Sequence, residues 1–343
     1  MRKSFTYPDK REFYKKLSIR RGKHNQERKQ HKYNKQHHNK TTQQKLIEAP
    51  KNFSFVENPD ESMKFLHDFE EIIKTSKIDV MQDFSNIDNV TPDALLYMML
   101  YIESIDDSQI NNINIGGILP KKRECKKLFQ KSGFIEHINS RKINLKDMDE
   151  DILTIRVGNK TESKTAQEVV KHVRKWLNIE RKDTKSIQTI LIESMTNTHN
   201  HAYNHNKEGK WYLMAYHYEN EVHFVFLDNG YGIPSTLKTK LIDYISGAKY
   251  SDNKLIMSAL EGEKLRTKTG ELKRGKGLPK IYSHSKEDNI KELIIIANKA
   301  FVNCKKDKTE SIKNSLNGTL ISWKIIKGAT NNEKDNNQHC RRI

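Results

Sequence analysis

A chain of 343 residues is long enough for about two domains, each able to bury a core. It carries 62 Lys+Arg against 44 Asp+Glu, and residues 1–50 hold 15 of those cations against 4 acids, so this one segment supplies +11 of the formal +18. Three well-separated cysteines, Cys125, Cys304 and Cys340, exclude a disulfide framework, and no run approaches the ~20 apolar residues of a membrane span, so a cytoplasmic protein is expected.

Residues 1–50 read as a disordered basic tail. Between Ile19 and Leu46 there is no large aliphatic side chain whose burial could offset the entropy of ordering. Through counterion release such a segment suits a polyanion, foremost nucleic acid; a solvated solubility tail is the alternative.

Residues 60–145 read as a first folded unit. Met63, Phe65, Leu66, Phe69, Ile72 and Ile73 recur at helical spacing, and Ile78–Ser85 follows as a short strand ending in Asp83-Phe84-Ser85. Thr91 and Pro92 open a helix to Glu103 that is apolar on nearly every side, which requires burial. A strand over Ile113–Ile118 leads through Pro120 to an amphipathic helix bearing Cys125, Leu128 and Phe129, stopped by Gly133. Strand, helix, strand, helix predicts a small α/β sandwich. The unit resembles a STAS domain, in which an Asp at a strand end precedes a loop and a helix N-terminus. That resemblance makes Ser85 and Thr91 the candidate phosphorylation positions, but the family's Asp-Ser-Ser string is absent. Thr91 therefore reads as a helix cap, and the unit as a docking or dimerisation module for a protein partner.

Residues 150–328 read as a second unit, followed by a polar tail over 329–343. Ala166–Leu177 is an amphipathic helix, with Val169, Val170, Val173 and Leu177 on one side. In the next helix Ile187, Ile190, Leu191, Met195, Thr198 and Ala202 form an apolar face, while Glu193, Asn197, Asn200 and His201 share another. Asn and His are poor helix formers, so their concentration here marks a candidate site. Two alternating runs, Trp211–Tyr218 and Glu221–Leu227, predict a β-hairpin that delivers Asp228 into Asn229-Gly230-Tyr231-Gly232. The glycine- and cation-rich stretch Leu265–Leu278 suits anion binding by backbone N–H groups. A strand at Leu293–Ile296, a charged loop at Lys305–Lys313, and Asn317-Gly318-Thr319 leading into Leu320–Ile326 complete the unit.

In this order the pieces resemble the GHKL ATPases, the Bergerat-fold group of gyrase, MutL, heat-shock chaperone and histidine-kinase ATPase domains. The match runs through Glu193-x-x-x-Asn197, Asp228-x-Gly230-x-Gly232, Gly275-x-Gly277-Leu278 and Gly318-Thr319. It implies an α/β fold of the α+β sandwich kind, with a mixed sheet covered by helices on one face. It further implies ATP and Mg²⁺ as cofactors, Asn197 as the metal ligand and Glu193 as the base that activates water. Asp228 would bind the adenine amino group, joined by Thr319, with Gly230 and Gly232 letting backbone approach the base. Arg274, Gly275, Lys276 and Gly277 would cover the phosphates as a lid, whose Gly277-Leu278-Pro279 ending departs from the kinase pattern.

Rival motifs are weaker. Gly270-x-x-x-x-Gly275-Lys276 approximates a P-loop, but Gly277 stands where a Ser or Thr must hold the metal. His199, His201 and His205 could suggest zinc, yet the first two point differently on a helix. The leading expectation is a Mg-ATP-dependent conformational switch acting on nucleic acid or a protein partner, with a homodimer among the expected assemblies. An anti-sigma-type serine/threonine kinase acting on a STAS partner is the alternative, and a non-hydrolysing nucleotide-binding scaffold the third. The fusion also resembles bacterial stress and phage-defence proteins of this type.

Overall fold

The computed structural model describes residues 44–75, 78–105, 114–140, 152–201, 209–240, 250–262 and 276–327. Residues 1–43 of the basic tail, the 329–343 tail, Ile113, Ala202, His205, and Arg274 and Gly275 of the expected lid lie outside these ranges, as does the side chain of His201.

The first unit alternates strands and helices. Strands β1 (Gln44–Glu48) and β2 (Asn52–Phe53) precede helix α1 (Pro59–Thr75), β3 (Asp79–Asp83) and β4 (Asn89–Val90) precede α2 (Pro92–Ser104), and β5 (Ile115–Ile118) leads to α3 (Arg123–Lys131) and α4 (Phe134–Ser140). β1, β3 and β5 form a parallel sheet in that order, with α1 and α2 as the crossovers that parallel neighbours require. The sequence reading put Gln44–Glu48 in the tail. They form a strand instead, because β3 offers backbone partners from Asp79 to Asp83 and Ile47 enters the core. Thr91 occupies the cap position of α2 in an extended conformation, with Pro92 behind it, but makes no side-chain cap bond. Asp93, one residue further, ties down the β2 loop: its Oδ2 accepts from Phe55 N at 2.6 Å and Val56 N at 3.2 Å.

The second unit is built on five strands. β6 (Ile152–Gly158) is followed by α5 (Ser163–Leu177), a short 3₁₀ turn (Arg181–Thr184) and α6 (Lys185–His201). Then come the hairpin β7 (Trp211–Tyr218) and β8 (Glu221–Asp228), helices α7 (Ile233–Lys240), α8 (Asp252–Glu261) and α9 (Gly277–Ser285), and the hairpin β9 (Ile290–Asn303) and β10 (Lys308–Ile326). The strand order is β6-β7-β8-β10-β9, and every pairing is antiparallel. The expected mixed sheet is thus corrected, since tight hairpins at Glu219-Asn220 and at Lys305–Asp307 impose antiparallel neighbours. The Lys305–Lys313 stretch, read as a loop, is the end of this second hairpin and the start of β10.

The helices of this unit pack on one face of its sheet, and the first unit covers the other. Trp211, Leu213, Phe224, Phe226, Leu293 and Ile295 face a core shared with α5, α6, α8 and α9. Their strand neighbours Tyr212, Met214, Val225, Leu227, Ile294 and Ile296 face the opposite way, into one core with Phe53, Leu66, Leu95 and Met99 of the first unit. Successive strand residues point to opposite faces, and here both faces are covered, so the central stretches of β7, β8 and β9 are apolar on both sides. Across this contact the Tyr212 hydroxyl donates to Glu103 Oε2 at 2.6 Å, and His137 Nε2 meets the other oxygen of the same carboxylate. No described helix is long and apolar enough to cross a membrane.

Candidate functional site

Helix α6 packs Ile187, Ile190, Leu191, Met195 and Thr198 inward, as its period demands, which turns Glu193 and Asn197 to its other side one turn apart. Gly277 opens α9 against that pair. A Cβ at position 277 would lie 2.9 Å from Glu193 Oε2 and 3.2 Å from Asn197 Oδ1, so glycine lets the start of α9 sit against both side chains without displacing them. One turn along α9, Lys280 Nζ donates to Glu193 Oε1 at 2.5 Å. The Glu193 side chain is 17% exposed, enough shielding for this ion pair to orient the carboxylate. Lys276 is the cap residue of α9 and makes no side-chain cap bond. The positive end of α9, with Lys276 and Lys280 beside it, therefore faces the acid and the amide of α6.

The second cluster forms where β8 ends. Thr319 of β10 and Trp211 of β7 lie directly opposite Asp228. Asp228 Oδ1 accepts from Gly230 N at 2.9 Å and Thr319 N at 3.1 Å. Burial pushes this carboxyl up to about 6, against the lowering pull of the Gly230 and Thr319 N–H groups and the Thr319 hydroxyl. Gly318 adopts φ 86°, and a Cβ there would fall 2.0 Å from the carbonyl oxygen of Asp228. Gly232 also has positive φ and passes close to Asn298 and Gly318. Asn229 closes the turn by accepting from Lys210 N at 2.7 Å.

A single segment connects the two clusters. Trp211, opposite Asp228, donates its indole N–H to Lys160 O at 2.7 Å. Next to it, Thr161 meets Thr196 hydroxyl to hydroxyl at 3.1 Å, and His199 Nδ1 donates to Asn159 O at 3.3 Å. Thr196 and His199 flank Asn197 on α6, so residues 159–161 hold the Asn197 turn and the Asp228 strand end to the same stretch of chain.

Of the residues expected from the sequence, Glu193, Asn197 and Gly277 come together, and Asp228, Gly230, Gly232 and Thr319 come together with Gly318. Two contributors escaped the sequence reading. Lys280 lies one helical turn past Gly277, a spacing that could have revealed it. Asn298 adopts φ 51° inside the apolar run of β9, takes Ser235 N and Ser235 Oγ on its Oδ1 at 3.1 Å each, and donates to Tyr231 O at 3.0 Å. A lone Asn amid isoleucines was the available signal for this brace on the 230–235 loop. No group of three or more His, Cys, Asp or Glu side chains suited to a metal occurs among the described residues, and His199 is engaged with backbone. Comparison with protein-family models gives no match, and comparison with curated proteins gives none either.

Proposed function

We propose that the chain binds Mg-ATP between the Glu193/Asn197 face of α6, the start of α9 and the Asp228 end of β8, and hydrolyses it as a conformational switch of the GHKL kind. The observation that carries this reading is the seating of Gly277 on both Glu193 and Asn197, because a phosphate-covering turn must come to the metal ligand and the base together. Asp228 and Thr319 take the base-recognition role. A buried carboxylate held by two N–H donors is a fixed acceptor for an exocyclic amine.

The donor set fits magnesium, whose hard oxygen-seeking shell takes few protein ligands and completes itself with water and phosphate oxygens. Asn197 Oδ1 is the oxygen in question, and the ion would supply neutralisation of phosphate charge. The start of α9, with Lys276 and Lys280, adds fixed positive potential for the same anion. Glu193 takes a proton from the attacking water while the bond to the β–γ bridging oxygen breaks. Lys280 holds Glu193 in one orientation for that step. Arg274 and Gly275 keep their expected lid role from the sequence alone.

The test is calorimetric titration of the full chain with ATP, with and without Mg²⁺, beside Asn197→Ala. Wild type should bind with a Mg²⁺-dependent gain in affinity that Asn197→Ala loses; equal affinity of the two proteins with Mg²⁺ present rejects the assignment. γ-Labelled ATP then separates the chemistries. Free phosphate supports the switch, labelled protein turns the same site into a kinase, and binding without either outcome leaves a scaffold.

A further inference from the structure

Strand β10 loses register with β9 twice on its way to the candidate site, between Ser311 and Leu316 and again between Leu316 and Thr319. Such irregularities free backbone N–H groups from the ladder. Two of these groups are taken by side chains of the first unit. Lys313 N donates to Asp60 Oδ1 at 2.8 Å, and Asn317 N donates to the Tyr97 hydroxyl oxygen at 2.9 Å. Ile312 and Leu316, the residues just before each of them, are buried in the core that the first unit shares with the sheet.

Tyr97 is fixed on its own side. It stands in the middle of α2, 1% exposed, with its ring 4.6 Å from that of Phe55. From Asn317 the chain passes directly to Gly318 and Thr319, where Gly318 adopts positive φ in contact with the Asp228 carbonyl and Thr319 N donates to Asp228 Oδ1. Three consecutive residues therefore lead from the Tyr97 hydroxyl to the carboxylate of the base-recognition cluster.

We infer that Tyr97, assisted by Asp60, is a positioning residue for the base side of the nucleotide site, so that the first unit sets nucleotide affinity from the far face of the sheet. This inference rests on the adenine-nucleotide reading of the Asp228 cluster. The bulged path of β10 is what brings Gly318 and Thr319 onto Asp228. Two N–H groups of the irregular stretch, those of Lys313 and Asn317, are taken by side chains of the first unit. Coupling of this kind is reciprocal: nucleotide that tightens the 317–319 backbone favours the docked position of α2 by the same factor.

The experiment uses the full chain with Tyr97→Phe, which keeps the ring and removes only the hydroxyl. Tyr101→Phe on the same helix, whose hydroxyl is also buried, serves as control. Amide hydrogen exchange is read over residues 316–320, together with calorimetric affinity for adenosine and ATP and the KM and kcat of hydrolysis. Tyr97→Phe should speed exchange at 317–319 and weaken adenosine and ATP alike, each by about two- to tenfold, the net scale of one lost hydrogen bond. It should raise KM and leave kcat unchanged, whereas Tyr101→Phe should do none of these. Unchanged exchange at 317–319 overturns the inference, and so does faster exchange with unchanged adenosine affinity in a protein whose wild type binds it. Wild type that binds neither adenosine nor ATP removes the nucleotide reading instead, and the exchange result alone then decides whether Tyr97 holds β10. Should Tyr97→Phe fail to fold, Asp60→Ala at its half-buried position carries the same readouts, with the exchange change centred on Lys313.

Discussion

Burial of Asp228 costs stability. Its carboxyl has a native value of about 6 against 3.8 for the free group, chiefly through burial. A carboxyl raised in the native state binds more protons there than in the unfolded chain, so stability falls as pH rises from about 4 through about 6, and the full penalty persists at neutral pH. That shift corresponds to about 3 kcal/mol at most. Asp228→Asn should therefore melt higher than wild type at pH 7 and alike at pH 4, because the amide oxygen can still accept from Gly230 and Thr319 while no charge is buried. Its affinity for ATP should nonetheless fall, since an NH₂ now faces a position that requires an acceptor. Melts at the two pH values and one titration check both signs, and an Asn variant that melts lower at pH 7 contradicts the account. Glu193 carries the complementary prediction. Glu193→Ala should retain ATP, because the base acts on water, while hydrolysis falls by about 10²–10⁴. Turnover at the wild-type rate removes Glu193 from the reaction.

At the level of elements, α6 was legible because its apolar period is unbroken from Ile187 to Thr198, and Asn197, a poor helix former, falls in the candidate site. The β7–β8 hairpin was legible from its turn and from Asp228 at its end. β6 was not, since a lone edge strand of seven residues lacks a hairpin signal, and the Lys305–Lys313 stretch was misread because β10 starts on exposed residues. Lys280 and Asn298 stayed hidden because their roles depend on which helix or loop reaches them. The glycines separate into two kinds. Gly318→Ala should lower the melting temperature strongly, since φ is 86° and the Cβ would meet backbone oxygen at 2.0 Å. Gly277→Ala meets only the ends of side chains, Glu193 Oε2 at 2.9 Å and Asn197 Oδ1 at 3.2 Å, at a backbone conformation that alanine adopts freely. It should keep or raise the melting temperature while displacing Glu193 and lowering hydrolysis. A melt and a turnover assay on each variant test the distinction, and parallel losses of stability in both would contradict it.

The molecule as a whole is divided by composition more sharply than by its core. Residues 1–43, which stop short of β1, hold 14 Lys+Arg against 3 Asp+Glu and so the whole +11 of the tail, and their deletion should leave ATP binding unchanged and reduce nucleic-acid affinity and its dependence on salt. Undiminished nucleic-acid binding by the truncated chain returns the tail to a solubility role. The folded portion behaves differently. The sequence suggests a boundary near residue 150, but Ile152, Tyr212, Met214, Val225, Leu227, Ile294, Ile296 and Leu320 of the sheet share one core with the helices of the first unit. Fully burying a side chain of this size contributes about 1.5–3 kcal/mol, and summed over that face the contact rivals the whole net stability of a typical domain, about 5–15 kcal/mol. Neither half can lose the other and keep a covered core. The full chain should accordingly unfold in a single calorimetric transition whose van't Hoff and calorimetric enthalpies agree. Residues 150–328 expressed alone should expose the back of the sheet and fail to give a cooperative melt, and residues 44–140 should fail likewise. Two resolved transitions in the full chain, or a monomeric 150–328 fragment that melts cooperatively and binds ATP with wild-type affinity, would make the first unit an appendage rather than half of the core.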